Sequence, residues 1–400
     1  MKKKIVILGA GYSGLQAALE LNSQGFNCTL IDKNDFHELL PELPHILSDN
    51  SLKTTIPIKT LIKNKSIDFI KSEITKINYQ KKQVELKDCS PVEFDYLVLA
   101  IGTNTNFFNI PGLEENSLTF HCTKDVDKFL LHIKNCFQTA KTLDPASDEY
   151  KQNLSVVVGG GGLTGVEVAG ELLYELPKLA KEIGINKNDI QLYLVEAMDR
   201  LLMVLDKEVS ETITEFFSKK EELHLLLKSA IKEVHPNQIQ LSDGKVINAK
   251  TILWTGGIRA NKLLEQPFID ENGQEAKFPL GRGFRVEVDE FYKVKGRQET
   301  FAIGDNALII DPETQQPFAQ NGQAAYKQGR IVAKHLVAII ENKELKTKKI
   351  KLDGLLVSLG PWLGSGMIIN PLTLHLPISP LVRKMKKLIE MRYKYFDIRR

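Results

Sequence analysis

The sequence predicts an α/β chain containing two doubly wound, Rossmann-like domains, on three observations. A glycine-rich turn between an apolar strand and a helix occurs twice, 151 residues apart. Each copy is followed by a strand that ends in an acid, and each half closes on a strand that ends in glycine. The 400 residues exceed one ordinary domain. At 42% hydrophobic, 26% charged and a net charge of +3, the chain is a folded globular one, which excludes disorder and a basic protein that coats nucleic acid. Cys28, Cys89, Cys122 and Cys136 form no CxxC pair and the eight histidines show no ligand spacing. A reduced cytosolic chain without a metal is therefore expected.

Ile5–Leu8 is a continuous apolar run, as a parallel strand covered on both faces requires. Gly9, Gly11 and Gly14 interrupt it and Glu20 follows, so the start reads as strand and turn and not as a secretory signal. The motif Gly9-Ala10-Gly11-Tyr12-Ser13-Gly14 opens a helix whose N-terminus can hold a pyrophosphate. Asp32, eighteen residues after Gly14, ends the next strand, where a carboxylate meets an adenosine ribose. In the second copy Ser155–Val158 leads into Gly160-Gly161-Gly162-Leu163-Thr164-Gly165, and the strand 191–195 ends at Glu196, 31 residues beyond Gly165. Pro177 and the segment 184–189 point to a prolonged helix and loop that fill this gap. Gly9 to Gly102 spans 93 residues and Gly160 to Gly256 spans 96, with similar hairpin segments between. Two dinucleotides held face to face imply hydride transfer; two copies of a scaffold with one inactive site is the alternative.

Thr300-Phe301-Ala302-Ile303-Gly304-Asp305 is a short strand after the second repeat, expected to pair back onto the first domain with the second inserted. With it the chain resembles the two-dinucleotide flavoproteins of glutathione-reductase-like fold. Within them it resembles the type II NADH dehydrogenases, the single-chain NADH:quinone oxidoreductases. The likeness rests on 31–47, Ala100-Ile101-Gly102-Thr103, Ile110-Pro111-Gly112, 158–171 and Thr255-Gly256-Gly257-Ile258-Arg259-Ala260-Asn261. It implies a discontinuous FAD domain (1–115 and 290–335), an NADH domain (116–289) and a C-terminal membrane-anchoring region (336–400). FAD would be held by Gly9, Gly11, Gly14, Asp32, Gly102, Gly304 and Asp305; NADH by Gly160, Gly162, Gly165, Glu196 and Gly256. Glu167 matches the family's carboxylate near the flavin–nicotinamide contact, against a bland role at a helix N-terminus. Gln320 and Gln323 are the two registers of its glutamine signature, and Lys327 replaces the last glutamine of the second.

Glu196 would bond both ribose hydroxyls and repel a ribose phosphate, favouring NADH over NADPH, with Arg200 nearby opposing this. His37 and His45 read as packing or flavin-contact residues and Trp254 as core. The absence of a cysteine pair after Asp32, and of any cysteine after Cys136, excludes disulfide and sulfide substrates.

Residues 354–382 carry no formal charge. Pro361, Pro371, Pro377 and Pro380 with four glycines prevent a continuous spanning helix, so a hairpin-like patch against lipid or the flavin domain is expected. Beyond it Leu381, Met385, Leu388, Ile389 and Phe396 share one face, and 383–400 carries eight basic residues, Lys386, Lys394 and Arg400 among them, against Glu390 and Asp397. This suits an anionic bilayer surface; a helix packed on the protein or on a second subunit of a homodimer is the alternative. The expected protein is a peripheral enzyme at the cytoplasmic face of the cell membrane, passing electrons from NADH to ubiquinone or menaquinone without pumping protons. An NAD(P)H reductase of a soluble carrier such as ferredoxin, and a slow FAD/NADH redox sensor, are the rival readings.

Overall fold

The computed structural model describes residues 3–311, 315–369 and 372–399; Pro371 and Arg400 lie outside the described residues. Ile5–Leu8 (β1) is buried along its whole length and leads through the glycine turn into Tyr12–Ser23 (α1). It pairs in parallel with Cys28–Asp32 (β2), which pairs with Ile67–Lys71 (β3), while Tyr96–Leu99 (β4) lies on the other side of β1. Burial on both faces is what demands the unbroken apolar runs.

The second sheet repeats this plan. It comprises Leu118–Thr119 (β5), Ser155–Gly159 (β6), Gln191–Val195 (β7), Leu223–Leu226 (β8) and Thr251–Trp254 (β9), in the order β5-β9-β6-β7-β8. Leu163–Ile183 (α2) connects β6 to β7 as one 21-residue helix containing Pro177, and ends at Gly184 with φ 87°. This long helix is what fills the gap between Gly165 and Glu196. Lys207–Ser218 (α3) follows β7.

Thr300–Ala302 (β10) then pairs in parallel with β4, so the first sheet reads β10-β4-β1-β2-β3. The chain thus leaves the first sheet after β4 and returns once the second is complete. Gly322–Ile340 (α4) packs along α1 at Gly329, where a Cβ would lie 2.3 Å from the Ser13 carbonyl oxygen; only glycine permits that approach.

The tail forms an antiparallel sheet of Gly354–Ser358 (β11), Gly364–Ile368 (β12) and Leu374–Ser379 (β13), followed by Pro380–Arg392 (α5). Ser379 Oγ accepts the Val382 N–H and Pro380 supplies the first helical residue, both ordinary N-terminal signals. Among the described residues no helix is long and apolar enough to cross a membrane. Two tail residues depart from the sequence reading. Lys386 and Lys394, counted there with the outward cations, turn inward: Lys386 is buried between Glu167 and Glu390, and Lys394 pairs with Glu42. Glu167 on α2, Glu42 in the first half of the chain and Glu390 on α5 itself outweigh the preference of lysine for water.

Candidate functional site: two glycine cradles and a buried ionic cluster

The two glycine turns have the same geometry for the same reason. Gly9 has φ 100°, and a Cβ there would stand 2.2 Å from the Ala100 carbonyl oxygen; at Gly14 it would stand 1.9 Å from Gly9 O. In the second turn Gly160 has φ 106°, and a Cβ on Gly165 would stand 1.8 Å from Gly160 O. Gly11 and Gly162, by contrast, face open space: a Cβ on either would have none of the described residues within 4 Å. They are the N-caps of α1 and α2, and neither helix has a side-chain cap or an acid in its first turn. Amide donors at a positive helix end, next to space only a glycine leaves, fit a phosphate group.

Each acid braces its own turn. Asp32 Oδ2 accepts from Ala10 N at 2.7 Å and Oδ1 from Asn34 N at 2.8 Å. Glu196 Oε2 accepts from Gly161 N at 2.6 Å and Oε1 from Met198 N at 2.7 Å. Burial pushes the Asp32 carboxyl up, opposed by its two amide donors. The ends of β4 and β10 meet beside the first turn: Gly102 N donates to Asn306 Oδ1 at 3.0 Å, and Gly304 N to Gln328 Oε1 at 2.6 Å. Burial raises Asp305 to about 6, against the pull of Arg285. Gln320 Nε2 donates to the Asp305 carbonyl oxygen at 2.7 Å, whereas Gln323 Oε1 accepts from Asp353 N at 2.7 Å and Lys327 pairs with the Asp353 carboxylate at 2.9 Å. The two glutamines therefore face different partners. Gly256 sits where a Cβ would meet the Trp254 ring, and Trp254 is buried, its Nε1 donating to Asn106 O.

Glu167, in the first turns of α2, is buried; its Oε1 accepts from Ser358 N at 2.9 Å and from the Lys386 ammonium. Lys386 also lies 3.3 Å from Glu390 and 3.4 Å from His45 Nε2, and His45 Nδ1 donates to Glu171 at 3.0 Å. Burial alone would push the Lys386 ammonium down, but Glu167 and Glu390 hold it up. Nearby, burial brings His37 down to about 4; its Nδ1–H donates to Ala10 O at 2.9 Å and its Nε2 accepts from Tyr393 at 3.0 Å. The Tyr393 ring stacks on Tyr12 at 4.6 Å.

Lys386, Glu390, Glu171, Glu42, Lys394 and Tyr393 escaped the sequence reading. A signal existed: Val382, Lys386 and Glu390 stand at i, i+4 and i+8, and Glu390 is the single acid of α5. In a basic helix, that one acid marks the stripe that turns inward.

The profile of the pyridine nucleotide-disulphide oxidoreductases matches residues 3–329. The chain belongs to this family. Among pyridine nucleotide-disulphide oxidoreductases it has none of the paired cysteines that the family name evokes: Cys28 and Cys136 are buried, and all four thiols are free. It is 29% identical over 408 residues to a Staphylococcus aureus protein named type II NADH:quinone oxidoreductase, covering 98% of this chain and 95% of that one. In fold it is similar to NDH2 from Plasmodium falciparum, solved in complex with NADH, at TM-score 0.83 and 20% identity with 99% of both chains covered. It is also similar to the sulfide:quinone oxidoreductase of Aquifex aeolicus, at TM-score 0.77 and 18% identity, covering 99% of this chain and 91% of that one.

Proposed function

We propose that this chain is an FAD-dependent NADH:quinone oxidoreductase that does not pump protons. The observation that carries the reading is the pair of equivalent glycine cradles, each braced by its own acid, in a chain with no cysteine pair to take electrons. Residues 1–115 and 290–335 are assigned to FAD, 116–289 to NADH, and 336–400 to the membrane. The name of the Staphylococcus aureus relative supports a quinone as acceptor.

Bound FAD would take the hydride of NADH and hand both electrons to the acceptor. The chain's own residues bind and orient. Gly9, Gly11, Gly14 and Asp32 hold one dinucleotide, with Gly102, Gly304 and Asp305 along the same edge; Gly160, Gly162, Gly165, Glu196 and Gly256 hold the other. Glu167, kept beside a buried ammonium, supplies a charge that orients the meeting point, and Gln320 and Gln323 are assigned to the acceptor. Changing Glu196→Ala removes the acceptor of the Gly161 N–H and of a ribose diol. We expect kcat/KM for NADH to fall roughly ten-fold (about 1.4 kcal/mol) with NADPH nearly unaffected; an unchanged ratio in steady-state kinetics would remove Glu196 from cofactor selection.

Attachment to the cytoplasmic membrane surface is supported by the outer face of α5 and the turn that follows it, where Leu381, Leu388 and, in the turn, Phe396 are 66%, 63% and 65% exposed beside Lys384 and Lys387. The double change L388E/I389E is expected to lower binding to anionic vesicles at least ten-fold in a sedimentation assay, leaving the fold intact. The reaction itself is tested by purifying the protein, recording its flavin spectrum and following NADH-driven reduction of a short-chain quinone against ferredoxin. Faster reduction of ferredoxin would replace this reading with a soluble-carrier reductase.

A further inference from the structure

Phe108 stands in an unfavourable place for an aromatic side chain. It is 57% exposed, and its φ of 51° and the 56° of Asn109 put two successive residues bearing a Cβ in the left-handed region. The turn is not short of apolar burial, because Phe107 and Ile110 pack against the core around Trp254. Asn106 holds it in this shape: its N–H donates to Gly257 O at 3.0 Å, its carbonyl oxygen accepts from Trp254 Nε1 at 2.8 Å, and its Oδ1 accepts from Phe108 N at 3.0 Å. Just before it, Thr103–Thr105 pairs antiparallel with Ile258–Ala260. A strained turn fixed by several bonds, lifting one ring into solvent, is a shape that recurs at ligand clamps.

The ring stands at the rim of the second cradle. It occupies the space that a side chain on Gly257 would need and meets Trp254 edge-on, with centroids 6.4 Å apart. Trp254 lies against Gly159 and Gly256 in the same way, and Gly256 leaves no room for a Cβ on Gly160. β6 carries the glycine turn between β7, which leads to Glu196, and β9, which leads to the glycines beside Phe108. An acid after β7 takes the adenosine ribose, so the other half of the dinucleotide crosses the end of β9. Resting on the assignment of NADH to this turn, we infer that Phe108 is a positioning residue for the nicotinamide half of NADH, its ring covering the nicotinamide ribose and excluding water from that side. The fixed turn presents the ring before NADH arrives, so no loop has to be ordered on binding. Phe108 exchanges no proton or electron with the substrate.

The test uses the full-length flavoprotein, Phe108→Ala and Phe108→Leu, with the dinucleotide taken apart. Reduced nicotinamide mononucleotide carries one half and ADP the other. Anaerobic stopped flow without acceptor gives the apparent Kd of NADH and of the mononucleotide from the concentration dependence of flavin reduction, and calorimetry gives that of ADP. In F108A both reduced nucleotides are expected to bind about ten-fold more weakly, a loss of about 1.4 kcal/mol, with ADP affinity, flavin content and melting temperature unchanged. F108L keeps an apolar side chain at the rim; it is expected to lose about three-fold and carries the test if F108A does not fold. Glu196→Ala is expected to do the reverse, weakening NADH and ADP and sparing the mononucleotide. Unchanged affinity for the mononucleotide in the Phe108 variants, or an equal loss for ADP, overturns the inference while leaving the quinone reading intact. Flavin reduction by NADH with one and the same Kd in wild type, F108A, F108L and E196A overturns the placing of NADH at the second turn instead.

Discussion

Lys386→Met lowers the free energy of unfolding by about 3–5 kcal/mol, the expected result of leaving Glu167 and Glu390 buried without their shared cation. Denaturant titration of the apoprotein measures it, and a loss below about 1 kcal/mol would show that the pair behaves like an exposed one. The same contact sets an acid limit. Burial pushes Glu390 up, yet Lys386 and His45 overcome this and bring it to about 2. Its folded pKa lies below the ordinary 4.5, so its stabilisation is complete above about 4.5 and is lost as pH falls toward 2. In wild type the tail should loosen across that window, detectable as growing protease cleavage within α5. In K386M that added acid sensitivity should be largely gone.

The glycine turns yield the second large effect, and the two kinds of glycine in each turn separate folding from binding. Gly14→Val drives a side chain into Gly9 O and is expected to abolish both flavin and cooperative unfolding. Gly11→Ala puts a methyl group into open space at φ −71°, so the apoprotein should keep its melting temperature within a degree or two. FAD should nevertheless bind at least ten-fold more weakly, a loss of about 1.4 kcal/mol, because the phosphate needs that volume. Gly162→Ala is the mirror experiment: normal flavin content with a raised KM for NADH. Equal flavin loss in G11A and G162A would contradict the assignment of one dinucleotide to each turn.

What the sequence made legible follows the range of the interactions involved. Both cradles, the two acids and the late strand at 300–302 are written within short stretches whose spacing is set by backbone geometry, and each lies in the expected element. Pro177 and Gly184 announced the long α2 through local rules as well. The ionic cluster was not legible, because Glu167, His45 and Lys386 are separated by as many as 341 residues and meet only through the tail. A lysine in a basic amphipathic helix reads as solvated until the partner surface is known. The uncharged run 354–382 read as a hairpin-like patch, which the antiparallel strands β11–β13 bear out, but its partner was misread: Val357, Leu359 and Met367 join the core of the second sheet and α2, not the flavin domain.

The detour of the chain between β4 and β10 has a cost during synthesis. About 200 residues must be made after β4 before β10 can cover its free edge, roughly 10–40 s at 5–20 residues per second. For that interval the nascent sheet presents unpaired backbone to other chains. Ile398, 0% exposed, joins the same core from a further 96 residues beyond β10. The first nucleotide pocket therefore matures late, and expression that outruns chaperone supply is expected to lose this protein as aggregates nucleated by β1–β4.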